Sequence, residues 1–181
     1  MRIPMKRNES GFTMIEVLVT IAILVVGLLG LAAMQTLSTL AELESYQRSQ
    51  ALVLVRDMAD RMSSNKAAIV DYVANDIGLT PMDCANYMAS PSYKLDICEW
   101  NNQLSGAAEK ADGGTRNVGA MIGARGCVVR VDPQTFLVTV AWQGLSRAGI
   151  PVEECGKGAY GADEQRRTVS IVVRIALLNA E

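Results

Sequence analysis

The sequence predicts an α+β protein in which one long N-terminal helix packs on a C-terminal antiparallel sheet. Three patterns support this fold class. An apolar run follows residue 11, neither Gly nor Pro occurs between Leu31 and Ile77, and apolar residues alternate with polar ones after Cys127. An uninterrupted apolar segment favours a long helix, whereas a period of two favours strands. Because no other long helix is predicted, this helix is expected to cover the apolar face of the sheet.

The first part of the helix, residues 12–34, is predicted to cross a membrane. The segment from Phe12 to Ala33 contains a single ionised side chain, Glu16, and follows a short basic segment. At 1.5 Å per residue such a helix spans about 33 Å, which matches the hydrocarbon core of a bilayer. The basic flank predicts a cytoplasmic N-terminus. A carboxylate inside an apolar span is costly and usually functional, although Glu16 lies close to the interface and could simply mark the edge of a plain anchor.

Residues 35–65 are predicted to continue the helix as an amphipathic segment that packs on the globular domain. Its apolar residues recur at helical spacing, and charged residues lie between them. The apolar set is Ala51, Leu52, Val55, Met58, Ala59 and Met62, and the expected polar surface is Glu44, Arg48, Arg56, Asp57, Asp60 and Arg61. Ser63-Ser64-Asn65 is the first segment that favours an end of the helix.

Residues 66–125 are predicted to connect the helix to the sheet. The part from 66 to 83 is expected to hold one or two more helical turns. A short helix is expected from Tyr93 to about Glu109, with Ser92 as its N-cap and Trp100 as a core or interface anchor. The glycine-rich loop from Ala111 to Gly123 lacks the Gly-Lys-Ser/Thr ending of a phosphate-binding loop, so no nucleotide site is predicted there.

Residues 126–181 are predicted to form the antiparallel sheet. Three strands are expected, separated by the Asp132-Pro133-Gln134 turn and a long loop from Gly144 to Gln165: Cys127–Val131, Thr135–Trp142 and Thr168–Leu177. Alternation places Phe136, Val138, Val140 and Trp142 on one face. The Arg166-Arg167 pair is expected to be a solvated strand start.

Four cysteines, all beyond the apolar run, suggest disulfides and hence a translocated domain. Four cysteines allow three connectivities. Their order favours Cys84–Cys98 and Cys127–Cys155, while reduced buried thiols are the alternative. The chain has no Cys-x-x-Cys spacing and no histidine, which argues against a zinc site; no metal or other cofactor is predicted.

Residues 6–18, KRNESGFTMIEVL, resemble the class III leader and N-terminal helix shared by type IV pilins and type II secretion pseudopilins. The resemblance implies the type IV pilin fold and a leader peptide of residues 1–11. It implies that prepilin peptidase cuts after Gly11 and that Phe12, the new N-terminus, is N-methylated. It also implies that Glu16 serves filament assembly by facing the amine of a neighbouring subunit.

Within that family, residues 27–32, 125–127 and 139–144 resemble minor pilins of the PilV type. This implies a low-abundance subunit that primes pilus assembly, lies at or near the tip, and supports twitching motility and adhesion. The implied partners are other minor and major pilins, the inner-membrane assembly platform and a tip adhesin. The implied location is the inner membrane, with the C-terminal domain in the periplasm, before assembly, and the pilus at the cell surface afterwards.

Two alternatives remain open at the level of sequence, and a third is remote. A minor pseudopilin of a type II secretion system has the same leader and helix. An ordinary secretory signal cut near Gly30-Leu31-Ala32 would need a shorter apolar run than this one. A membrane-anchored periplasmic enzyme finds no support, because histidine and a Gly-x-Ser-x-Gly motif are both absent.

The net charge of −2 argues against nucleic-acid binding. Met5 is an alternative start, which would shorten the leader.

Overall fold

The computed structural model describes residues 11–107, 110–111, 116–117 and 121–175. The leader residues 1–10, much of the glycine-rich loop and the predicted end of the last strand at Leu177 lie outside the described residues. By compactness the chain divides into two units, Met1–Glu42 and Leu43–Glu181. Helix α1, Met14–Ser64, belongs to both, and its bounds agree with the long helix predicted from the sequence.

The described part of the first unit consists of residues 11–13 and the beginning of α1. All of its described side chains are exposed. The helix passes through Gly27 and Gly30 without a break, and a Cβ at either position would meet no atom within 4 Å.

In the second unit, α1 buries one stripe of side chains against the sheet. The buried residues are Gln47, Ala51, Val55, Met58, Ala59 and Met62. Five of the six predicted apolar positions are therefore confirmed. The sixth, Leu52, is 43% exposed, because it lies about 100° around the helix from Ala51 and so leaves the buried stripe.

The main sheet is antiparallel, with the strand order β1 Ala74–Ile77, β4 Ile122–Asp132, β5 Thr135–Gln143 and β6 Arg166–Arg174. Thus β4 begins five residues before the predicted start at Cys127, inside the expected glycine-rich loop. The predicted inner face of β5 is confirmed, since its four residues are at most 3% exposed: Phe136, Val138, Val140 and Trp142.

The fourth strand, β1 Ala74–Ile77, was not predicted from the sequence. Lys66–Tyr72 does form 3-10 helical turns, but the chain then extends and pairs antiparallel with β4. Asn and Asp are poor strand formers, and Asp76 adopts a φ of 57° at an irregularity in this pairing. Pairing with β4 therefore outweighs local propensity here. Two shorter strands, β2 Lys110–Ala111 and β3 Arg116–Asn117, form a separate two-stranded sheet.

Helix α2, Ser92–Leu104, brings Trp100 into the core. The predicted end near Glu109 is wrong, because the helix ends five residues earlier. Pro91, not Ser92, occupies the N-cap position, and it makes no side-chain cap. The Ser92 hydroxyl instead accepts a hydrogen bond from Nδ2 of Asn65 at 2.7 Å. Trp100 is fully buried and its indole N–H donates to the carbonyl of Leu54 at 2.8 Å, which confirms its predicted role as an anchor.

The outer face of the sheet is partly covered as well. A second, smaller cluster of buried side chains joins Cys127, Ala141, Cys155 and Tyr160. The long loop that follows β5 supplies Cys155 and Tyr160, and the Tyr160 hydroxyl donates to the carbonyl of Gly123 at 2.8 Å. The expectation of a single apolar face is therefore incomplete, because the outer face also has a core of its own.

Candidate functional site

The N-terminal end of α1 presents the residues that the sequence identified as an assembly site. Gly11 and Phe12 precede the helix, and the Phe12 side chain is 82% exposed. The helix starts where the carbonyl of Thr13 accepts the backbone N–H groups of Glu16, at 3.1 Å, and Val17, at 3.3 Å. The bond between Gly11 and Phe12 thus lies outside regular helix.

Glu16 lies in the first turn of α1. The unpaired N–H groups of a helix N-terminus favour a negative charge at this position. Within the part of the chain that the structure describes, the Glu16 side chain makes no hydrogen bond and no ion pair. Its carboxylate is therefore available to a group supplied by another molecule.

Three hydroxyls of α1 are satisfied within the helix itself. The hydroxyls of Thr20, Thr36 and Thr39 donate to backbone carbonyls three or four residues earlier, at 2.8, 3.1 and 3.0 Å. Such internal bonds let a hydroxyl lie in an apolar environment at little cost. Glu16 differs from these three residues, since its side chain has no such partner among the described residues.

The surface around Glu16 is apolar and exposed. The large apolar side chains of residues 12–31 that are at least 46% exposed are Phe12, Met14, Ile15, Val17, Leu18, Val19, Ile21, Ile23, Leu24, Val25, Val26, Leu28, Leu29 and Leu31. Among the described residues, α1 is the one helix long and apolar enough to cross a membrane, with a mean hydropathy of 2.8 in its most apolar part. Such a surface requires a bilayer or the helices of other subunits to cover it.

Two disulfides stabilise the globular unit, and they have the pairing favoured by the sequence. Cys84 is bonded to Cys98 in α2, and Cys127 in β4 is bonded to Cys155. The first ties the short 3-10 segment Cys84–Tyr87 to α2. The second ties the loop of residues 144–165 to the outer face of the sheet.

Arg166 holds the same loop from its other end. It is 1% exposed, and its guanidinium donates to the carbonyls of Pro151, Glu153 and Cys155 and to the carboxylate of Asp163. The hydrogen bond from Arg166 lowers the pKa of Asp163. The prediction of a solvated Arg166-Arg167 pair is therefore wrong for Arg166. The sequence carries no signal for this role, because backbone carbonyls distant in the chain supply most of its partners.

Arg167 joins the loop to helix α1. Its guanidinium donates to the carbonyl of Ser146 at 2.8 Å and lies 3.4 Å from the carboxylate of Glu44. Glu44 also accepts hydrogen bonds from the backbone and hydroxyl of Ser146, and the hydroxyl bond is the main cause of its lowered pKa. Glu44, expected on the polar surface, is therefore a structural contact.

A polar cluster attaches α2 to α1. Arg61 bridges Asp57, Asp96 and Glu99, with nitrogen–oxygen distances of 2.9, 3.2 and 2.6 Å. Tyr72 donates its hydroxyl to Asp96, and burial together with this bond raises the pKa of Tyr72 to about 12. These groups serve to hold two helices together. Within the described residues, no group of three or more His, Cys, Asp or Glu side chains could hold a metal ion.

Two family models match adjoining parts of the chain. The prokaryotic N-terminal methylation motif matches residues 6–32, and the model of type IV pilin Tt1218 matches residues 33–104. Neither a curated protein nor a solved structure gives a match. The first model contains Gly11, Phe12 and Glu16, and the second contains the buried stripe of α1 and the whole of α2. With the long N-terminal helix and the antiparallel sheet, these matches show that the chain belongs to the type IV pilin family.

Proposed function

We propose that this chain is a minor pilin of the PilV type that primes assembly of a type IV pilus and is incorporated at or near its tip. The observation that carries the proposal is the methylation motif, which leads directly into the type IV pilin match and contains Glu16, whose side chain has no partner among the described residues. Type IV pilins are structural rather than enzymatic, and they assemble with other pilins after prepilin peptidase has processed them. The minor role is inferred from residues 27–32, 125–127 and 139–144.

The assembly step follows from the chemistry of Glu16. Cleavage after Gly11 frees an amine on Phe12, and methylation to a secondary amine keeps its positive charge. In an apolar helix bundle a carboxylate without a cation is costly. The amine of an axially displaced neighbour would remove that cost, so the pair would set the register between subunits.

The partners and location follow from this role. The apolar part of α1 anchors the unassembled subunit in the inner membrane, and the disulfide-bonded unit lies in the periplasm, where disulfides form. Other minor and major pilins, the inner-membrane assembly platform and a tip adhesin are the partners that we infer. The assembled subunit would support twitching motility and adhesion from the cell surface.

The proposal is tested with Glu16→Gln, which removes the charge and keeps the shape of the side chain. Breaking a buried ion pair costs about 3–5 kcal/mol, so incorporation into sheared filaments should fall at least about tenfold. Membrane insertion should be unchanged. Thr20→Val is the matched control, because the Thr20 hydroxyl bonds only to its own helix, and it should be incorporated normally. Normal incorporation of Glu16→Gln would contradict the assembly role.

Two further measurements test the processing of the chain and whether it serves a type IV pilus or a type II secretion system. Intact mass of the membrane-extracted chain, without reduction, should begin at methylated Phe12 and be short by four hydrogens. Deletion of the gene should abolish twitching motility and leave exoprotein secretion intact. Loss of secretion with normal twitching would instead identify a minor pseudopilin of a type II secretion system.

A further inference from the structure

A cleft of about 300 Å³ lies between helix α1 and the sheet, where β5 ends and β6 begins. Trp142 of β5 and Arg167 of β6, which stand opposite each other in the sheet, form one wall. The other wall belongs to α1 and consists of Glu44, Ser45 and Arg48. Ser45 and Arg48 are exposed, so the cleft opens to solvent. All five residues belong to the globular unit.

One positive charge in this cleft has no counter-ion. Glu44 and Arg48 are four residues apart on α1, a spacing at which opposite charges often pair. Glu44 is instead held by Arg167, at 3.4 Å, and by the backbone and hydroxyl of Ser146. Arg48 makes no hydrogen bond and no ion pair within the part of the chain that the structure describes. Since Glu44 and Arg167 compensate each other, the Arg48 guanidinium is the uncompensated charge of the lining.

Trp142 contributes a second group without a partner. The residue is 3% exposed, yet its indole N–H donates to no group among the described residues. Buried indole N–H groups usually have an acceptor, as Trp100 has in the carbonyl of Leu54. Among the described side-chain nitrogen and oxygen atoms that are sealed from solvent, Gln47 Oε1 is the one without a partner. The N–H of Trp142 is therefore not sealed, and the cleft is an opening that Trp142 lines.

The unused groups of the cleft select a ligand that accepts hydrogen bonds and carries negative charge. The Arg48 guanidinium and the Trp142 N–H can only donate, and the Ser45 hydroxyl has no partner among the described residues. The carboxylate of the lining, Glu44, is already bonded. A carboxylate ligand carries one charge, which matches the one free cation, and its two oxygens fit the fork of a guanidinium. A phosphate group carries more charge than the cleft can compensate.

We propose that this cleft binds a carboxylate group, supplied either by a free organic acid or by an acidic side chain of another protein. The carboxylate would accept hydrogen bonds from the Arg48 guanidinium, the Trp142 indole N–H and the Ser45 hydroxyl. Glu16 and the methylation motif take no part in this arrangement. The site therefore goes beyond the proposed role in a pilus, and either proposal can fail without the other.

The test follows the indole N–H signals of the full chain by NMR, in detergent micelles. The chain has two tryptophans, so Trp142→Phe removes one signal and assigns both. Sodium acetate, exchanged for sodium chloride at constant ionic strength, should shift the Trp142 signal until it saturates. The Trp100 signal should not move, because its N–H is already bonded to the carbonyl of Leu54. No shift at Trp142, or the same shift in chloride alone, would overturn the proposal.

Two exposed arginines of α1 provide a matched pair of variants. Arg48→Gln removes the free cation, and the loss of a hydrogen bond to a charged group should lower the affinity for acetate at least about tenfold. Arg56→Gln removes the same charge about two turns further along the helix, outside the cleft, and should bind acetate within about twofold of the unaltered chain. Equal affinities of the two variants for acetate would overturn the proposal.

Three further probes identify the source of the carboxylate. If acetyl-Gly-Glu-Gly-amide binds at least as tightly as acetate, a protein side chain is the source; if acetate alone binds, a free acid is the source. Both results support a carboxylate site. Acetyl-Gly-Gln-Gly-amide is the uncharged control and should not shift the Trp142 signal. Equal binding of the Gln and Glu peptides, or tighter binding of inorganic phosphate than of acetate, would overturn the choice of a carboxylate.

Discussion

Gly126 of β4 lies against the indole of Trp100, and we predict that Gly126→Ala destabilises the globular unit. A Cβ at this position would lie 2.3 Å from both Cη2 and Cζ3 of Trp100 and 2.7 Å from Cδ1 of Leu104. Trp100 is fully buried and is held by its hydrogen bond to the carbonyl of Leu54. The ring therefore cannot move aside without disturbing the contact between α2 and α1.

The expected change in the free energy of unfolding is the sum of opposing effects. Replacing Gly by Ala in a strand normally stabilises it by about 0.5–1 kcal/mol, because the unfolded chain loses less entropy. Overpacking of a dense core costs about 1–3 kcal/mol, and loss of the indole hydrogen bond adds about 0.5–1.5 kcal/mol. The net expectation is a decrease of about 0.5–4 kcal/mol in the free energy of unfolding, opposite in sign to the propensity effect.

The assay is urea unfolding of the full chain in detergent, followed by circular dichroism. Gly149→Ala is the control, because a Cβ there meets no atom within 4 Å, and its stability should be unchanged or slightly raised. In a Trp100→Phe background the smaller ring should relieve the clash, so Gly126→Ala should cost at least about 1 kcal/mol less. Equal free energies of unfolding for Gly126→Ala and Gly149→Ala would refute this reasoning.

Three further predictions concern the loop of residues 144–165. In Arg166→Lys, a single ammonium group cannot replace the several N–H donors of the guanidinium. The substitution should lower the free energy of unfolding by about 2–3 kcal/mol and speed amide exchange in the loop. Unchanged amide exchange would contradict this. The hydrogen bond from Arg166 holds the folded-state pKa of Asp163 below its ordinary value of 3.8. This bond therefore stabilises the loop above pH 3.8, and the stabilisation is lost as the pH falls through the folded-state pKa. Loop exchange should therefore accelerate below about pH 4, and Asp163→Asn should remove that response. Replacing Cys127 and Cys155 together by Ser should cost about 2–4 kcal/mol in urea unfolding, and an unchanged midpoint would refute a stabilising role.

Much of the fold could be predicted because its signals are local in the chain. The helical spacing of apolar residues predicts the buried stripe from Ala51 to Met62. Their alternation with polar residues predicts the inner face of β5. The order of the cysteines favoured the observed pairing because each disulfide joins one cysteine to the next cysteine along the chain. The N-terminal motif of residues 6–18 identified the family for the same reason, since the motif is a short linear segment.

The missed features depend on partners that are distant in the chain. Strand β1 exists because β4 supplies its hydrogen bonds from about fifty residues away, against the weak strand propensity of Asn75 and Asp76. Arg166 is buried because three carbonyls of the preceding loop surround it, and carbonyls exist at every residue regardless of its type. Side-chain identity therefore holds no information about that contact.

The sequence by itself determined the N-terminal methylation motif, the long helix, the three main strands and the disulfide pairs most favoured by order, because periodicity and short motifs record local chemistry. Only the tertiary structure decided that Ala74–Ile77 forms a strand, how the long loop is held and why Gly126 tolerates no side chain. Those features depend on distances between elements that meet only after the chain has folded.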